Sequence, residues 1–396
     1  MAGAGSKLVD RLVPAYPITV PGGPAFVIYA VHKYLRWKGT LACPLIDPLI
    51  PKKSSGPFTY VSIGDPNGPE AIPTLKVPWR LNWIEFLVSL LLWERQDWTD
   101  WRFCVKVFSS IDLTAFSCLR DRLKARGALG KLITTFLCRL WALRTFLIAK
   151  YVSLKFRAIA SRCSEAYVVV YYSAMMLGVV RAFRRLGKPV WDVQHGYIGP
   201  THGAYDNKEA FRLTSTFQPS GYLVWDRRFG RLIEKATGAQ WESTDYLHLR
   251  AYCTTGRSGD ARFTVLYSLQ YDTPVPDAVE RAVRELPHIH WVFRMHPMDR
   301  DRQRKDLDRF RALPNVSIES ASEPLALVLG NVDLHITYNS GLGHEAAALG
   351  IPSLILDHSL LDRYGEELAR GLAIPVEPDQ LSSVLKHFYG IRKKGG

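Results

Sequence analysis

The chain has 396 residues, 47% of them apolar and 22% charged, which excludes a disordered chain and leaves room for about two domains. Its net charge of +14 is uneven: residues 1–200 hold 27 basic and 12 acidic side chains, residues 201–396 hold 24 and 25. The six cysteines form no CxxC pair and have no His at zinc-finger spacing, which excludes a disulfide framework and a zinc site and reads as reduced thiols in the cytosol.

The first residues lack the basic-then-apolar pattern of a signal peptide. The longest uncharged run, 12–32, is broken by Pro14, Pro17, Pro21 and Pro24, and the uncharged run 166–180 is short, so no membrane-spanning segment is expected. Residues 1–80, rich in Pro and Gly, predict short strands and irregular connections. Trp79, Trp83, Trp93, Trp98 and Trp101 then fall close together. Residues 119–160 read as a basic helix, because Leu132, Phe136, Leu140, Leu143, Leu147, Tyr151 and Leu154 recur at helical spacing. Trp141 and Phe156 lie off that stripe. Two readings stay open for this helix. It is a core helix whose Arg and Lys side chains snorkel to water, or a surface that touches a membrane or a lipid-linked acceptor. The span 101–190 holds 17 basic and 3 acidic residues and is the part expected to meet an anionic partner or a membrane surface.

The pattern clears after residue 165. The run YVVVYY at 167–172 predicts a buried strand, 174–186 an amphipathic helix with Gly187 after its end, and 190–193 a second strand. A strand at 221–224 and a helix at 229–237 follow. Thr254, Thr255, Gly256, Ser258 and Gly259 place a hinge within 246–261. Further strands are expected at 262–268, 289–293, 316–319, 332–337 and 353–356, with helices at 276–286, 302–311, 323–329 and 342–349. Strands alternating with helices in two blocks predict two doubly wound Rossmann-type α/β domains, at 1–250 and 262–390, facing across a cleft. Ligands in such folds sit at the carboxyl ends of the strands.

Three polar clusters fall at those strand ends. In the first, His195 precedes Gly196, and its ordinary pKa suits a general base; Asp192, three residues earlier, orients it or competes for the role. His202, Tyr205, Asp206 and Glu209 form a polar loop downstream, a candidate acceptor site. In the second cluster, His296 is placed to donate to a phosphate or leaving group, Arg294 points into the sheet or toward phosphate, and Pro297 fixes the turn. In the third, Asn339 and Ser340 are placed to cap the next helix, while Gly341 and Gly343 keep its first turn free of bulk. That turn is a candidate phosphate site, and Glu345 a candidate acceptor of hydrogen bonds from ribose hydroxyls. The acidic pairs Asp299/Asp301 and Asp306/Asp308 read as a solvated helix face, and no metal-ligand cluster or cofactor motif is found.

The runs VWDVQHGYIG (190–199), FRMHP (293–297) and VDLHITYNSGLGHEAAALGIPSLIL (332–356) resemble the GT-B glycosyltransferases. More narrowly they resemble bacterial capsule, teichoic-acid and lipopolysaccharide transferases that use CMP-sugars or CDP-glycerol. The resemblance covers roughly 165–385; residues 1–160 resemble no family. It implies a GT-B-like fold and metal-independent transfer. His195 matches the N-domain base position, His296-Pro297 the His-Pro motif, Ser340 the donor-phosphate turn and Glu345 the ribose-binding carboxylate. Gln194-His195 replaces the acidic pair of the sialyltransferases, which leaves Kdo, glycerol phosphate or a UDP-sugar as the transferred group.

The expected function is transfer of a sugar from a CMP-, CDP- or UDP-linked donor to a surface-polysaccharide or glycolipid acceptor. Its place would be the cytoplasm or the inner face of the cell membrane. The rivals are a glycerophosphotransferase or a sugar-nucleotide epimerase on the same fold, and a non-catalytic nucleotide- or glycan-binding subunit. No nucleic-acid module is found, so nucleic acid is not an expected partner.

Overall fold

The computed structural model describes residues 22–29, 35–37, 40–63, 74–77, 85–87, 93–110, 127–199, 202–253, 262–270, 273–296, 300–319, 321 and 323–395. Trp79, Trp83, Pro297, Asp299, the hinge residues 254–261 and the start of the expected 119–160 helix lie outside them. The chain divides into two compact units: unit 1 is Met1–Tyr34 and Thr40–Leu247, and unit 2 is Leu35–Gly39 and His248–Gly396.

The first strands are β1 (Ala25–Tyr29), β2 (Leu35–Trp37) and β3 (Thr40–Ala42), of which only β1 joins a large sheet. Unit 1 adds β4 (Thr59–Ile63), β5 (Thr74–Val77), β6 (Ala166–Val169), β7 (Val190–Val193), β8 (Gly221–Val224) and β9 (Gln240–Ser243). The seven strands lie in the order β5-β4-β1-β6-β7-β8-β9, all parallel. β4, β6 and β8 are buried along their whole length, as strands covered on both faces must be. β1, β4 and β5 come from the Pro- and Gly-rich segment that predicted short strands without placing them: AFVIY and TYVSI are too short to show a period between their breakers.

The strand expected at 167–172 ends at Val169, because Val170 takes φ +59°, a left-handed conformation rare for a β-branched residue. The turn delivers Ser173, whose Oγ accepts from Met176 N at 3.3 Å and caps the helix Ala174–Arg184. That helix packs along the second half of the 36-residue helix Gly127–Arg162. Gly178 allows the crossing: a Cβ there would sit 2.5 Å from Val152 Cβ and 2.7 Å from Ala149 O.

The two helices and Arg95–Ser110 are pinned by buried charge. Lys150 Nζ donates to Asp97 Oδ2 at 2.8 Å, and Arg181 donates to Asp97 Oδ1. Arg181 Nε lies 3.3 Å from Asp100 Oδ2, and Asp100 also accepts from Ser215 Oγ, Thr216 N and Thr216 Oγ1. Burial alone would raise the Asp97 pKa, but Arg181 and Lys150 outweigh it and hold the carboxyl below its usual range. Part of the basic excess of 101–190 is therefore internal. More of it is tied up in Lys106–Glu209, Lys155–Glu85 and Arg185–Glu94 pairs, and in Lys188, which donates to the carbonyls of Ala160, Ser161 and Cys163.

Unit 2 contains β10 (Thr264–Ser268), β11 (His290–Arg294), β12 (Val316–Glu319), β13 (Leu334–Thr337), β14 (Ser353–Ile355) and β15 (Ala373–Pro375). Their order is β12-β11-β10-β13-β14-β15, all parallel. Counted along the chain within the unit, this is 3-2-1-4-5-6, the order of doubly wound dinucleotide-binding sheets. The helices Asp277–Glu285, Leu325–Leu329 and Leu342–Ala348 fall within two residues of their expected bounds, while the one expected at 302–311 runs Arg300–Leu307 and ends in a 3-10 turn, Asp308–Phe310; the first of these and Arg300–Leu307 cover the core around Trp291, Phe293 and Ile336. His335 crosses the middle of the sheet, with Nε2 2.8 Å from Ser268 Oγ on β10 and Nδ1 2.9 Å from Ser353 Oγ on β14. Burial lowers its pKa to about 3, so it is a neutral polar tie between three strands.

Replacing Asp97 with Ala should destabilise the protein by about 3–5 kcal/mol, because it strands two buried cations. Urea unfolding of the variant against the natural chain measures this; a loss under about 1 kcal/mol would mean that water screens the cluster.

Candidate functional site

In unit 2 the strand order reverses between β10 and β13, and the polar side chains gather there. Thr337 ends β13; its Oγ1 accepts from Ser340 N at 3.1 Å, which folds Tyr338-Asn339-Ser340 into a tight turn. Gln270, two residues past β10, lies against that turn. With its amide oxygen facing the turn it accepts from Asn339 N at 3.2 Å and from Ser340 N. Asn339 Nδ2 donates to Asp357 Oδ2 at 2.7 Å, and Ser340 Oγ accepts from Leu342 N at 3.2 Å. The residue before the helix is Gly341, which has no side-chain cap; Ser340 Oγ reaches only the first helical N–H, and Asn339 is directed to Asp357 instead. The Tyr364 hydroxyl donates to Ser340 O, and the Tyr364 ring stacks on His344 at 4.8 Å. Gly343 makes room for it, since a Cβ there would lie 2.7 Å from Tyr364 Cε1.

Glu345 Oε1 is 2.9 Å from His248 Nε2, and both side chains are largely buried. Arg294 ends β11 with its guanidinium on Glu319 and on the carbonyl of Glu323 at 3.0 Å. Burial lowers the Arg294 pKa, and the Glu319 and Glu345 carboxylates oppose that. In the structure Arg294 clamps β11 to β12 and to the following loop. His296 N donates to Gln303 Oε1 at 2.6 Å, and Gln303 Nε2 donates to Gln270 O at 2.8 Å. Gln303, fully buried, therefore ties the ends of β10 and β11 together.

Unit 1 places its polar residues at the ends of β6 and β7. Asp192 is buried, and both its oxygens are occupied, by Tyr171 N at 3.0 Å and the Tyr205 hydroxyl at 2.8 Å. Burial pushes its carboxyl up to about 7, against those two hydrogen bonds. It holds Tyr205 and the Val170 turn rather than His195. Gln194 ties down the turn that carries His195: its Oε1 accepts from Trp225 N at 2.7 Å and its Nε2 donates to Gly196 O at 2.9 Å. The His195 Nε2 lies 3.3 Å from the Tyr172 hydroxyl.

Of the expected acceptor residues, His202 and Tyr205 lie together and Glu209 stands apart from them on the surface. Tyr205 is buried against Tyr171, Tyr172 and Tyr222. His202 packs on Tyr205 at 4.8 Å and on Tyr172 at 5.4 Å, and burial lowers its pKa. Glu209 is exposed and paired with Lys106, which lowers its pKa. Asp301, Asp306 and Asp308 lie in pairs with Arg304, Arg302 and Arg311 on a polar helix face. Among the described residues no three His, Cys, Asp or Glu side chains are grouped to hold a metal. Sequence reasoning missed Gln270, Gln303, Tyr172 and His248. Gln270 had a signal, its place just past a strand; His248 had none, because only folding brings it to Glu345.

No protein-family model matches the chain, and no curated protein is similar to it in sequence. Solved structures share its fold. The S. aureus MnaA–UDP co-structure is 11% identical, covers 93% of this chain and 88% of its own, and gives a TM-score of 0.51. A UDP-N-acetylglucosamine 2-epimerase from Listeria monocytogenes is 12% identical over 95% of this chain and 89% of its own, with a TM-score of 0.53. The Methanocaldococcus jannaschii UDP-GlcNAc 2-epimerase in complex with UDP-GlcNAc and UDP is 10% identical over 92% of each chain, with a TM-score of 0.51. At these identities the likeness is one of fold. The chain is a GT-B-like α/β protein of two doubly wound units.

Asp192 supplies a pH test. An acid whose native pKa lies above its unfolded value of about 3.9 holds its proton more tightly when folded. The native state is then favoured at low pH, and the advantage is lost as pH rises from about 4 through about 7. Asp192→Asn removes this titration, so its melting temperature relative to the natural chain should rise between about pH 5 and about pH 8. An offset that is the same at both pH values would mean that Asp192 is ionised throughout.

Proposed function

We propose that the chain is a nucleotide-sugar enzyme, and specifically a glycosyltransferase whose unit 2 binds the nucleotide of the donor. The observation that carries the proposal is the convergence of Gln270, Ser340 and Glu345 at the β10/β13 switch point of a 3-2-1-4-5-6 sheet, where such sheets take nucleotides. His248 holds one oxygen of Glu345 and leaves the other for the ribose hydroxyls. The Gln270 amide satisfies the turn N–H groups that a diphosphate would use, so donor binding displaces it from Asn339 and Ser340. The resemblance of 190–199, 293–297 and 332–356 to GT-B transferases of surface polysaccharides supports sugar transfer, with a polysaccharide or glycolipid acceptor.

In this reading His195 of unit 1 takes the acceptor proton. Its Nε2 faces the Tyr172 hydroxyl, which stands where an acceptor hydroxyl would donate. A second reading is favoured by the fold shared with UDP-GlcNAc 2-epimerases: interconversion of a UDP-sugar without an acceptor. Incubation with UDP-GlcNAc alone, followed by proton NMR, separates the two. A new UDP-hexosamine signal would replace the transferase reading; its absence, with sugar transfer in the presence of an added acceptor glycan, would uphold it.

Glu345→Ala should weaken nucleotide binding by about tenfold or more and raise the donor KM more than it lowers kcat, because a ribose contact acts alike in ground and transition states. Titration calorimetry with UDP, CDP and CMP measures the first part. Full affinity for the preferred nucleotide in the variant would remove Glu345 from the site.

His195→Ala should lower turnover by about 10²–10⁴-fold, the scale of a positioned general base, with donor affinity unchanged. Tyr172→Phe should stay within about tenfold of the natural rate, since its hydroxyl only occupies the acceptor's place. The reverse ranking in steady-state assays would give the proton transfer to Tyr172.

A further inference from the structure

The helix Gly127–Arg162 has two halves of different character. Phe146, Ala149, Tyr151, Val152, Phe156, Ile159 and Ala160 of its second half are buried inside unit 1. In the first half Leu129, Leu132, Phe136, Leu140 and Leu143 are exposed, by 59, 67, 59, 46 and 36%. Their three- and four-residue steps put them on one face, within about 80° of arc at about 100° per residue. Five large apolar side chains in one exposed row are more than scattered surface leucines. Away from the row, Gly130 and Ala142 are buried and Thr134, Cys138 and Trp141 are half-buried.

Charge selects the occupant. Lys131, Arg139 and Arg144 are exposed on this half, and Arg139 and Arg144 flank the apolar row on either side. No acidic residue occurs from Arg122 to Ser164. A second copy of the chain laid face to face on the row would bring these arginines together with no carboxylate of the row between them. A bilayer of anionic phospholipid offers both parts that the face lacks, an apolar layer for Leu and Phe and phosphates for Arg and Lys.

We propose that residues 127–144 form a docking face for an anionic lipid surface, on which the helix lies flat. The whole helix is long and apolar enough to cross a membrane by length and composition. Its second half is committed to the core of unit 1, however, and one exposed face suits the plane of the interface rather than a span. The inference stands independently of the nucleotide site, since it uses no residue of it.

The test is sedimentation of the full chain with vesicles of phosphatidylglycerol and phosphatidylcholine, and with vesicles of phosphatidylcholine alone. The natural chain should bind the anionic vesicles and release in high salt. The double variant Leu132→Glu/Phe136→Glu should lose at least about tenfold in vesicle affinity. The charge variant Arg139→Glu/Arg144→Glu should lose a similar amount. Both should keep the circular dichroism and melting temperature of the natural chain, because the four side chains face outward. Four results would overturn the proposal: no binding to anionic vesicles, equal binding to neutral ones, full binding by either variant, or a dimer that Leu132→Glu/Phe136→Glu converts to monomer. Vesicle association that only detergent reverses would assign the helix to a span instead.

Discussion

Asp97 is the point on which unit 1 turns. One buried carboxylate receives a lysine from the long helix Gly127–Arg162 and an arginine from Ala174–Arg184, while its own helix supplies Asp100 as a second anion. A charge in a dry interior is costly unless paired and hydrogen-bonded, so the three helices are tied to one relative placement: sliding any of them strands a charge. The second half of the long helix is thereby fixed in the core. Its first half continues outward as a rigid extension, and the exposed apolar row follows from that.

A quieter version of the same principle organises unit 2. His335 is neutral and joins Ser268, Ser353 and its own strand across the sheet centre. Gln303 joins the ends of β10 and β11, and Arg294 joins β11 to β12. These ties carry little net energy each, but leaving any buried polar group unpaired is costly. They hold the strand ends in register, and so decide where Gln270, Ser340 and Glu345 stand relative to one another. Arg294 and Asn339 are among the ties, through Glu319 and Asp357.

The two units differ in what their strand ends offer. In unit 2 the polar groups at the switch point are amides, a hydroxyl and a paired carboxylate, a set suited to hydrogen bonding a nucleotide. In unit 1 a buried tyrosine group surrounds a carboxylate that holds its proton near neutrality, with His195 at its edge beside Tyr172.

The sequence by itself determined the α/β class of residues 165–390. There most strands are short runs of apolar and aromatic residues, and helices such as Arg227–Thr237 and Asp277–Glu285 have a clear polar face, so local periodicity and final burial agree. It determined the three polar clusters at strand ends, because a strand end is a local feature. It predicted short strands within 1–80 but not the places of β1, β4 and β5, which are set among prolines and glycines, nor the stop at Val170, which a β-branched residue hides. Only the tertiary structure decided which polar residues pair with one another. Arg294 meets Glu319 over 25 positions, His248 meets Glu345 over 97, and Arg181 meets Asp97 over 84. Pairings at that distance are set by the winding of the sheets and the packing of helices upon them, and no local pattern records them.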